Sequence, residues 1–183
     1  MHDALTKELD ALRARRGYDE LSILETGCIR MEDPTYRDSD GWSTLTFGQY
    51  VQTHGGTLTS VDLDTSVAQR VLKEAGITHR ANFQDGYSVE VLAKMVATNR
   101  TFDVVMLDTE NDAQLVLHEY LVAKNLVTPG ALMIFDDVDM TNISGAVKGH
   151  LVVPWFDHHG IPYRMQQRIS DQYVTNMVFM DVP

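Results

Sequence analysis

The sequence predicts an α/β fold with a mostly parallel β-sheet and helices packed on both of its faces. Two observations support this prediction. Short apolar runs typical of strands alternate with amphipathic helical patterns, which indicates parallel strands joined by helices. The last two strand-like runs follow each other without room for a helix, which indicates an antiparallel hairpin at one edge. The 183 residues fit a single domain, 1–183, because no linker-like tract divides them.

Each element is predicted from its hydrophobic period and its end signals. Leu5, Leu9 and Leu12 recur at helical spacing before Gly17, and Val89, Leu92 and Val96 define the apolar face of a later helix. In chain order the predicted elements are a helix over 1–17, a strand over 21–27, a helix over 41–54, a strand over 57–64, a helix over 65–76, a weak strand over 79–84, a helix over 87–98, a strand over 102–108, a helix over 113–126, a strand over 131–137 after a Pro-Gly turn, a helix over 143–156, and strands over 162–169 and 175–182.

Composition excludes several classes of protein. A net charge of -11 argues against a nucleic-acid partner, because binding to phosphates needs a positive surface. No apolar run approaches the roughly 20 residues of a membrane span, and the charged amino-terminal stretch lacks the apolar core of a signal peptide. The single cysteine, Cys28, fits a reducing environment. We therefore expect a cytoplasmic protein with no membrane or nucleic-acid partner.

Acidic residues collect where the predicted strands end. In parallel sheets ligands bind outside the carboxyl ends of the strands, so these residues predict a binding site. They are Glu25, Asp62, Asp64, Asp108, Asp136 and Asp137.

The turn after the first strand has the features of a nucleotide site. Gly27 allows a ligand to approach the backbone, and Asp62 at the end of the second strand suits the two hydroxyls of a ribose. The G-x-G-x-x-G pattern is absent, which disfavours a nicotinamide cofactor. Gly27 alone is also consistent with a tight turn of purely structural importance.

The stretch "ALMIFDDVDM" ends an apolar strand in the adjacent carboxylates Asp136 and Asp137. Two neighbouring carboxylates repel each other, so the pair needs a positive charge beside it. An acidic pair that caps the following helix is the alternative interpretation.

Six motifs appear in the order found in a known family: "ILETG", "GWSTL", "TSVDLD", "FQDGYSVEVL", "FDVVMLD" and "PGALMIFDDV". Over residues 21–138 the chain resembles the class I S-adenosylmethionine-dependent methyltransferases, most of all the small metal-dependent O-methyltransferases of the catechol type. The resemblance implies a Rossmann-like, doubly wound sheet. The chain departs from the family in an inserted polar segment, 28–40, which we expect to form a lid whose Arg30 and Arg37 engage the substrate.

The resemblance also implies roles for individual residues in binding S-adenosylmethionine. Asp85 and Asp64 have alternative interpretations as helix N-terminal carboxylates. The implied assignments are Glu25 and Gly27 at the methionine moiety, Ser43 at its carboxylate, Asp62 at the ribose, Gln84 and Asp85 at the adenine, and Asp108 at the cofactor as well as the metal.

By the same resemblance, Asp108, Asp136 and Asp137 would hold Mg²⁺ or a similar divalent cation. Carboxylate oxygens suit such a hard cation, and the cation would activate the acceptor hydroxyl. The catalytic lysine of the family falls on Asn111, which cannot take up a proton. His150 is our choice of base among several histidines, although an activated hydroxyl needs no strong base.

The predicted function is methyl transfer from S-adenosylmethionine to a hydroxyl of a small molecule, by a homodimer. The alternatives are a metal-independent methyltransferase, another S-adenosylmethionine-type transferase, and a non-catalytic nucleotide-binding module. A test of metal dependence distinguishes the predicted enzyme from a metal-independent methyltransferase. Methyl transfer to any acceptor would exclude a non-catalytic nucleotide-binding module.

Overall fold

The structure, a computed structural model, describes residues 2–18, 20–33, 35, 42–138, 147–169 and 174–183. Within these residues none of the helices is long and apolar enough to cross a membrane. The helices are α1 (His2–Arg16), α2 (Ser43–His54), α3 (Ser66–Glu74), α4 (Ser88–Ala97), α5 (Ala113–Ala123) and α6 (Gly149–His159). The strands are β1 (Leu21–Thr26), β2 (Gly56–Asp62), β3 (Ala81–Asp85), β4 (Phe102–Leu107), β5 (Val127–Phe135), β6 (Arg164–Ile169) and β7 (Val174–Asp181).

The strands form one sheet in the order β3-β2-β1-β4-β5-β7-β6. Strands β1 to β5 are parallel, β7 is antiparallel to β5, and β6 is antiparallel to β7. The predicted doubly wound sheet with an antiparallel C-terminal hairpin is therefore confirmed. The strand order reverses between β1 and β4, and in such sheets the crevice for a ligand lies at the carboxyl ends of these two strands.

Helices cover both faces of the sheet, and the central strand β4 is apolar on both faces from Val104 to Leu107. Val104 and Met106 of β4 pack in one cluster with residues of α1, α2 and α3. Val105 and Leu107 pack in a second cluster with residues of α4, α5 and α6. Successive side chains of a strand point to opposite faces, so a strand that is covered on both faces shows no alternation of apolar and polar residues, as in the run Val104 to Leu107.

Strand β5 is longer than predicted and includes the Pro-Gly pair that we expected to form a turn. Gly130 donates its N–H to the carbonyl of Val182 at 3.0 Å, and Val182 donates to Ala131 at 2.8 Å. The register with β4 shifts between Phe102 and Val104, as at a β-bulge. The bulge accommodates the pair because Pro129 has no backbone N–H to donate, and a bulge leaves residues of the strand unpaired.

The helical pattern after β5 also differs from its prediction. The predicted helix over 143–156 begins at Gly149 and ends at His159, and residues 143–146 lie outside the described part of the chain. In α4 the buried apolar residues are Val91, Leu92 and Met95, whereas Val96 is only partly buried. Both sets have helical spacing, so the period alone did not select the buried face.

The predicted insertion 28–40 is not a surface segment throughout. Cys28 and Ile29 are buried in the core, and the N–H of Ile29 donates to the hydroxyl of Thr44 at 3.2 Å. Residues 30–33 and 35 are exposed, while 34 and 36–40, including Arg37, lie outside the described residues. The expectation of a substrate-binding lid therefore stays a prediction for the exposed part alone.

Helix α1 is attached to the sheet by its leucines and by an ion pair at its carboxyl end. Arg16 lies 3.1 Å from the carboxylate of Asp103, and both side chains are largely buried. Asp103 also accepts hydrogen bonds from Tyr18 and from the backbone and side chain of Ser22, each at 2.8 Å. This network joins α1 to β1 and β4 at the end of the sheet opposite the strand carboxyl ends.

Replacing Asp103 by alanine should lower the free energy of unfolding by about 3 kcal/mol, because Arg16 would keep a buried charge without its partner. Burial acts to raise the pKa of Asp103, but hydrogen bonds from Ser22 and Tyr18 and the charge of Arg16 outweigh it and lower that pKa. The ionised carboxylate therefore stabilises the fold above its unfolded pKa, and this stabilisation should disappear as the pH falls through the folded pKa. Urea unfolding at neutral and acidic pH measures both effects.

The matched control for Asp103 is Asp181→Ala. Asp181 pairs with Arg15 at 2.8 Å, but about half of each side chain is exposed. Such pairs contribute about 0–1 kcal/mol, so this variant should be nearly as stable as the native protein. Equal losses in the two variants would contradict a specific role for the buried pair.

Candidate active site

A cavity of about 790 Å³ opens at the carboxyl ends of strands β1 to β5. The predicted site residues on its wall are Gly27, Ser43, Asp62, Asp108, Asp136 and Asp137. Among the described residues that form the wall, Glu25, Gln84, Asp85 and His150 do not occur. The structure thus brings most of the predicted residues to one cavity and leaves four of them outside its lining.

Gly27 makes the turn after β1 and brings it against the end of β4. Its φ is +84°, and its N–H donates to the carbonyl of Val61 at 2.8 Å. A Cβ atom at this position would lie 2.0 Å from the carbonyl oxygen of Asp108. Only glycine fits here, so the ends of the two strands can lie side by side at the cavity wall.

The carboxylate of Asp62 is fixed by the backbone around it. One oxygen accepts the N–H of Cys28 at 2.9 Å, and the other accepts the N–H of Leu63 at 2.6 Å. A carboxylate oxygen has further lone pairs, so each of the two remains able to accept a hydroxyl. Asp62 therefore presents a rigid pair of acceptors beside the β1 turn.

Glu25 lies behind Ser43 and is fully buried. It accepts hydrogen bonds from the hydroxyl of Ser43 at 3.0 Å and from that of Ser60 at 2.7 Å. Burial raises the pKa of Glu25 to about 7, although hydrogen bonds from Thr44, Ser60 and Ser43 act in the opposite direction. Glu25 therefore positions the first residue of α2, which lines the cavity.

The two residues predicted at the adenine have other surroundings. Gln84 and Asp85 are exposed, and Asp85 accepts the N–H and the hydroxyl of Thr65 at 3.0 and 2.7 Å, which fixes the turn before α3. The wall on this side includes Leu63 and Tyr87, which are 65% and 68% exposed. Leu63 directly follows β2, and Tyr87 follows the glycine after β3. Their positions at the ends of these strands were the signal in the sequence that could have identified them.

Asp64 lies one position before Thr65, the N-cap of α3, and acts as a helix N-terminal carboxylate, as one interpretation of the sequence had it. Its carboxylate accepts the N–H of Ser66, the first residue of α3, at 2.9 Å. Cys28 does line the cavity, but burial raises the pKa of its thiol. The thiol therefore stays protonated, which agrees with a small side chain beside a ligand and not with a catalytic nucleophile.

Asp108, Asp136 and Asp137 meet where β4 and β5 end. One carboxylate oxygen of each lies within 4.8 Å of the other two. Asp136 is 1% exposed, and its Oδ1 accepts the N–H of Asp137 at 2.9 Å. Burial raises the pKa of Asp108 to about 7, Lys148 opposes this rise, and Asp136 and Asp137 add to it. We call these three residues the acidic cluster.

The positive charge beside the acidic cluster is Lys148, which the sequence did not identify. Its Nζ lies 2.6 Å from Oδ1 of Asp108 and 3.6 Å from Oδ2 of Asp137, and its side chain is 3% exposed. Burial acts to lower the pKa of Lys148, but the three carboxylates together outweigh it and raise that pKa. Lys148 is therefore an ammonium group, and the ion pair with Asp108 spans 40 positions of the chain.

The acidic cluster fits a divalent cation by its chemistry and by its charge. Three carboxylates converge, and carboxylate oxygens are the ligands that hard divalent cations prefer. When all three carboxylates are ionised, Lys148 neutralises one of the three negative charges and two remain in excess. A single divalent cation would neutralise this excess.

Of the two positions that the sequence related to the base, Asn111 and His150, one lines the cavity and the other does not. Asn111 lines the cavity, and its side-chain oxygen accepts the N–H of Val147 at 2.7 Å. His150, the second residue of α6, is absent from the described wall. His118 of α5 is the histidine that the described part of the wall contains.

A family model described as a methyltransferase domain matches residues 39–138, which is more than half of the chain. The chain belongs to this methyltransferase-domain family. The matched segment of the methyltransferase domain includes Ser43, Asp62 and the whole acidic cluster, whereas Gly27 and Lys148 lie outside it.

Over 100 residues the methyltransferase domain is 28% identical to a caffeoyl-CoA O-methyltransferase-like protein of Arabidopsis thaliana. The alignment covers 53% of this chain and 42% of the relative, so the chain spans less than half the length of that protein.

Two solved structures share the fold of the methyltransferase domain at low sequence identity. An O-methyltransferase from Bacillus cereus in complex with SAH has a TM-score of 0.74 at 18% identity, over 98% of this chain and 81% of that one. The methyltransferase MycE of mycinamycin biosynthesis, in complex with Mg, SAH and mycinamycin VI, has a TM-score of 0.61 at 18% identity. That match covers 97% of this chain and 48% of MycE. The first of these structures supports the Rossmann-like class I architecture expected from the sequence.

Proposed function

We propose that this protein transfers the methyl group of S-adenosylmethionine to a hydroxyl of a small molecule, with a divalent cation at the acidic cluster. The observation that supports the proposal most is the single cavity that Asp62, Ser43 and the acidic cluster share. A donor held at the β1 and β2 ends and an acceptor at the β4 and β5 ends would then meet inside it. The O-methyltransferase neighbours bind SAH, and MycE also binds Mg.

The donor would be bound along the first two strand ends. The amino terminus of α2 begins at Ser43 on the cavity wall, and a helix amino terminus favours an anion such as the carboxylate of methionine. Gly27 lets the methionine chain approach the backbone, and Asp62 would accept the two ribose hydroxyls. Leu63 and Tyr87 would pack on the adenine in the place first assigned to Gln84 and Asp85.

The acceptor would be held at the opposite end of the cavity. Asp108, Asp136 and Asp137 would hold the cation, which when bound supplies a positive charge that orients the acceptor hydroxyl and favours loss of its proton. The hydroxyl oxygen then forms a bond to the methyl carbon as the bond from that carbon to sulfur breaks. The contribution of the protein is to align these atoms. His118 replaces His150 as the proposed group that takes up the proton.

Metal-independent methyl transfer is the second candidate, because Lys148 already supplies a positive charge inside the acidic cluster. The two candidates differ in one measurement. Turnover that stops in excess chelator and returns with Mg²⁺ supports the first, and unchanged turnover supports the second.

The assignment of Asp62 to the ribose is tested by Asp62→Ala. The variant should bind S-adenosylhomocysteine more weakly by about 1.5–3 kcal/mol, the scale of a hydrogen bond to a charged group. Titration calorimetry measures the change. The control is Asp64→Ala, two positions along the chain, which removes the hydrogen bond that Asp64 accepts from the first residue of α3 and should leave the affinity unchanged. Equal affinities in both variants would remove Asp62 from the proposed site.

The small-molecule acceptor, the homodimer and the cytoplasmic location remain proposals that rest on the sequence. Net acidity and the buried single cysteine are compatible with them. Sedimentation of the purified protein would test the homodimer.

A further inference from the structure

Lys148 occupies the part of the acidic cluster that a cation would use. Its Nζ contacts Asp108 at 2.6 Å and lies 3.6 Å from Asp137, so two of the three carboxylates face the ammonium group. The side chain is almost completely buried, so solvent does not weaken these contacts. The ion pair therefore stabilises the cluster when no metal is present.

The backbone that presents Lys148 is held in place from outside the cluster. Val147 donates its N–H to the side chain of Asn111 at 2.7 Å, which ties this segment to the loop after β4. Helix α6 begins directly afterwards at Gly149. With this contact in place, the charge of Lys148 would leave the cluster by rotation of its side chain.

A divalent cation and an ammonium group at the same carboxylates repel each other. The repulsion is strong because the site is buried and the separation short. The ammonium group also occupies an oxygen of Asp108 that a metal ion would coordinate. Both effects oppose the simultaneous presence of the metal and the ion pair.

We propose that Lys148 is an internal competitor for the metal site, which neutralises the acidic cluster in the metal-free protein and leaves Asp108 when a divalent cation binds. The inference rests on the proposed function, because it takes the acidic cluster to be a metal site. It adds that metal affinity is set by the position of one lysine side chain.

The test is the affinity of the purified protein for Mn²⁺ alone, measured by calorimetry for the native chain, Lys148→Met and Lys124→Met. Lys124 is exposed at the end of α5 and serves as the control for a lost positive charge. We expect Lys148→Met to bind Mn²⁺ at least about tenfold more tightly than the native chain, and Lys124→Met to bind as the native chain does. Lys148→Met should also melt at a lower temperature without metal and regain more of its stability when Mn²⁺ is added.

Unchanged or weaker Mn²⁺ binding by Lys148→Met, or no binding by either protein, would overturn the proposal. Binding of S-adenosylhomocysteine, measured in the same samples, separates this failure from failure of the proposed function, because the residues proposed to hold the donor, Gly27, Ser43 and Asp62, lie outside the acidic cluster. If Lys148→Met does not fold, the native chain still gives an answer. Acylation of Lys148, followed by mass spectrometry, should increase when Mn²⁺ is present, and no increase would overturn the proposal.

Discussion

Replacing Asp136 by alanine should lower the rate of methyl transfer by at least about 100-fold, since changes even around a metal site commonly cost 10–100-fold. Asp136 is the most buried member of the acidic cluster, and its carboxylate also accepts the N–H of Asp137. The variant would lose a proposed ligand and the contact that orients its neighbour. Two measurements check this result: the turnover rate at saturating Mg²⁺ and the affinity of the protein for Mn²⁺. Both should fall in the variant.

Asp137→Asn is the matched control for Asp136→Ala. Asp137 has a φ of +54°, a backbone conformation that asparagine adopts readily, and an amide oxygen still coordinates a cation. This variant should keep most of its activity. Full activity of Asp136→Ala in excess chelator would exclude a role for the metal. The acidic cluster would then serve only as the ion-pair partner of Lys148.

Replacing Gly27 by alanine should be the most destabilising single change described here. The new Cβ would meet the backbone oxygen of Asp108 at 2.0 Å, and the φ of +84° is itself strained for alanine. We expect a loss of about 4 kcal/mol or more of unfolding free energy, together with loss of S-adenosylhomocysteine binding. Denaturant unfolding measures the loss of stability.

Gly76→Ala separates the strain of the backbone from the steric overlap. Gly76 has a φ of +75°, but no atom lies within 4 Å of the position of its Cβ. This change should cost about 1–2 kcal/mol and leave ligand binding intact. Similar losses in the two variants would mean that the β1 and β4 ends separate easily, and the cavity wall would then be less rigid than the structure indicates.

The sequence predicted the sheet and the location of the site because both follow from local patterns. Apolar runs mark strands that are buried on both faces, and the residue after each run lies at the carboxyl end of a strand. Asp62, Asp108 and Asp136 are such residues, and they all line the cavity. Parallel strands align their carboxyl ends, so position in the sequence was enough to bring them together.

Lys148 could not be predicted in the same way. It lies within what was predicted to be a helix over 143–156, and no local pattern relates it to Asp108, which is 40 positions earlier. The contact depends on where α6 begins, and helix boundaries are the least certain part of a sequence-based prediction. For the same reason His150 was chosen as a base, although it does not line the described part of the cavity wall.

The order of the strands also constrains the order in which this sheet can be completed. Strand β7 follows β6 in the chain but lies between β5 and β6, so β6 cannot join the sheet until β7 has been synthesised. Until then the edge of β5 exposes unpaired N–H and carbonyl groups next to apolar side chains. A nascent chain on the ribosome that has not yet reached Val174–Asp181 therefore presents an open edge, and we expect chaperone binding and misassembly to be concentrated in that interval of synthesis.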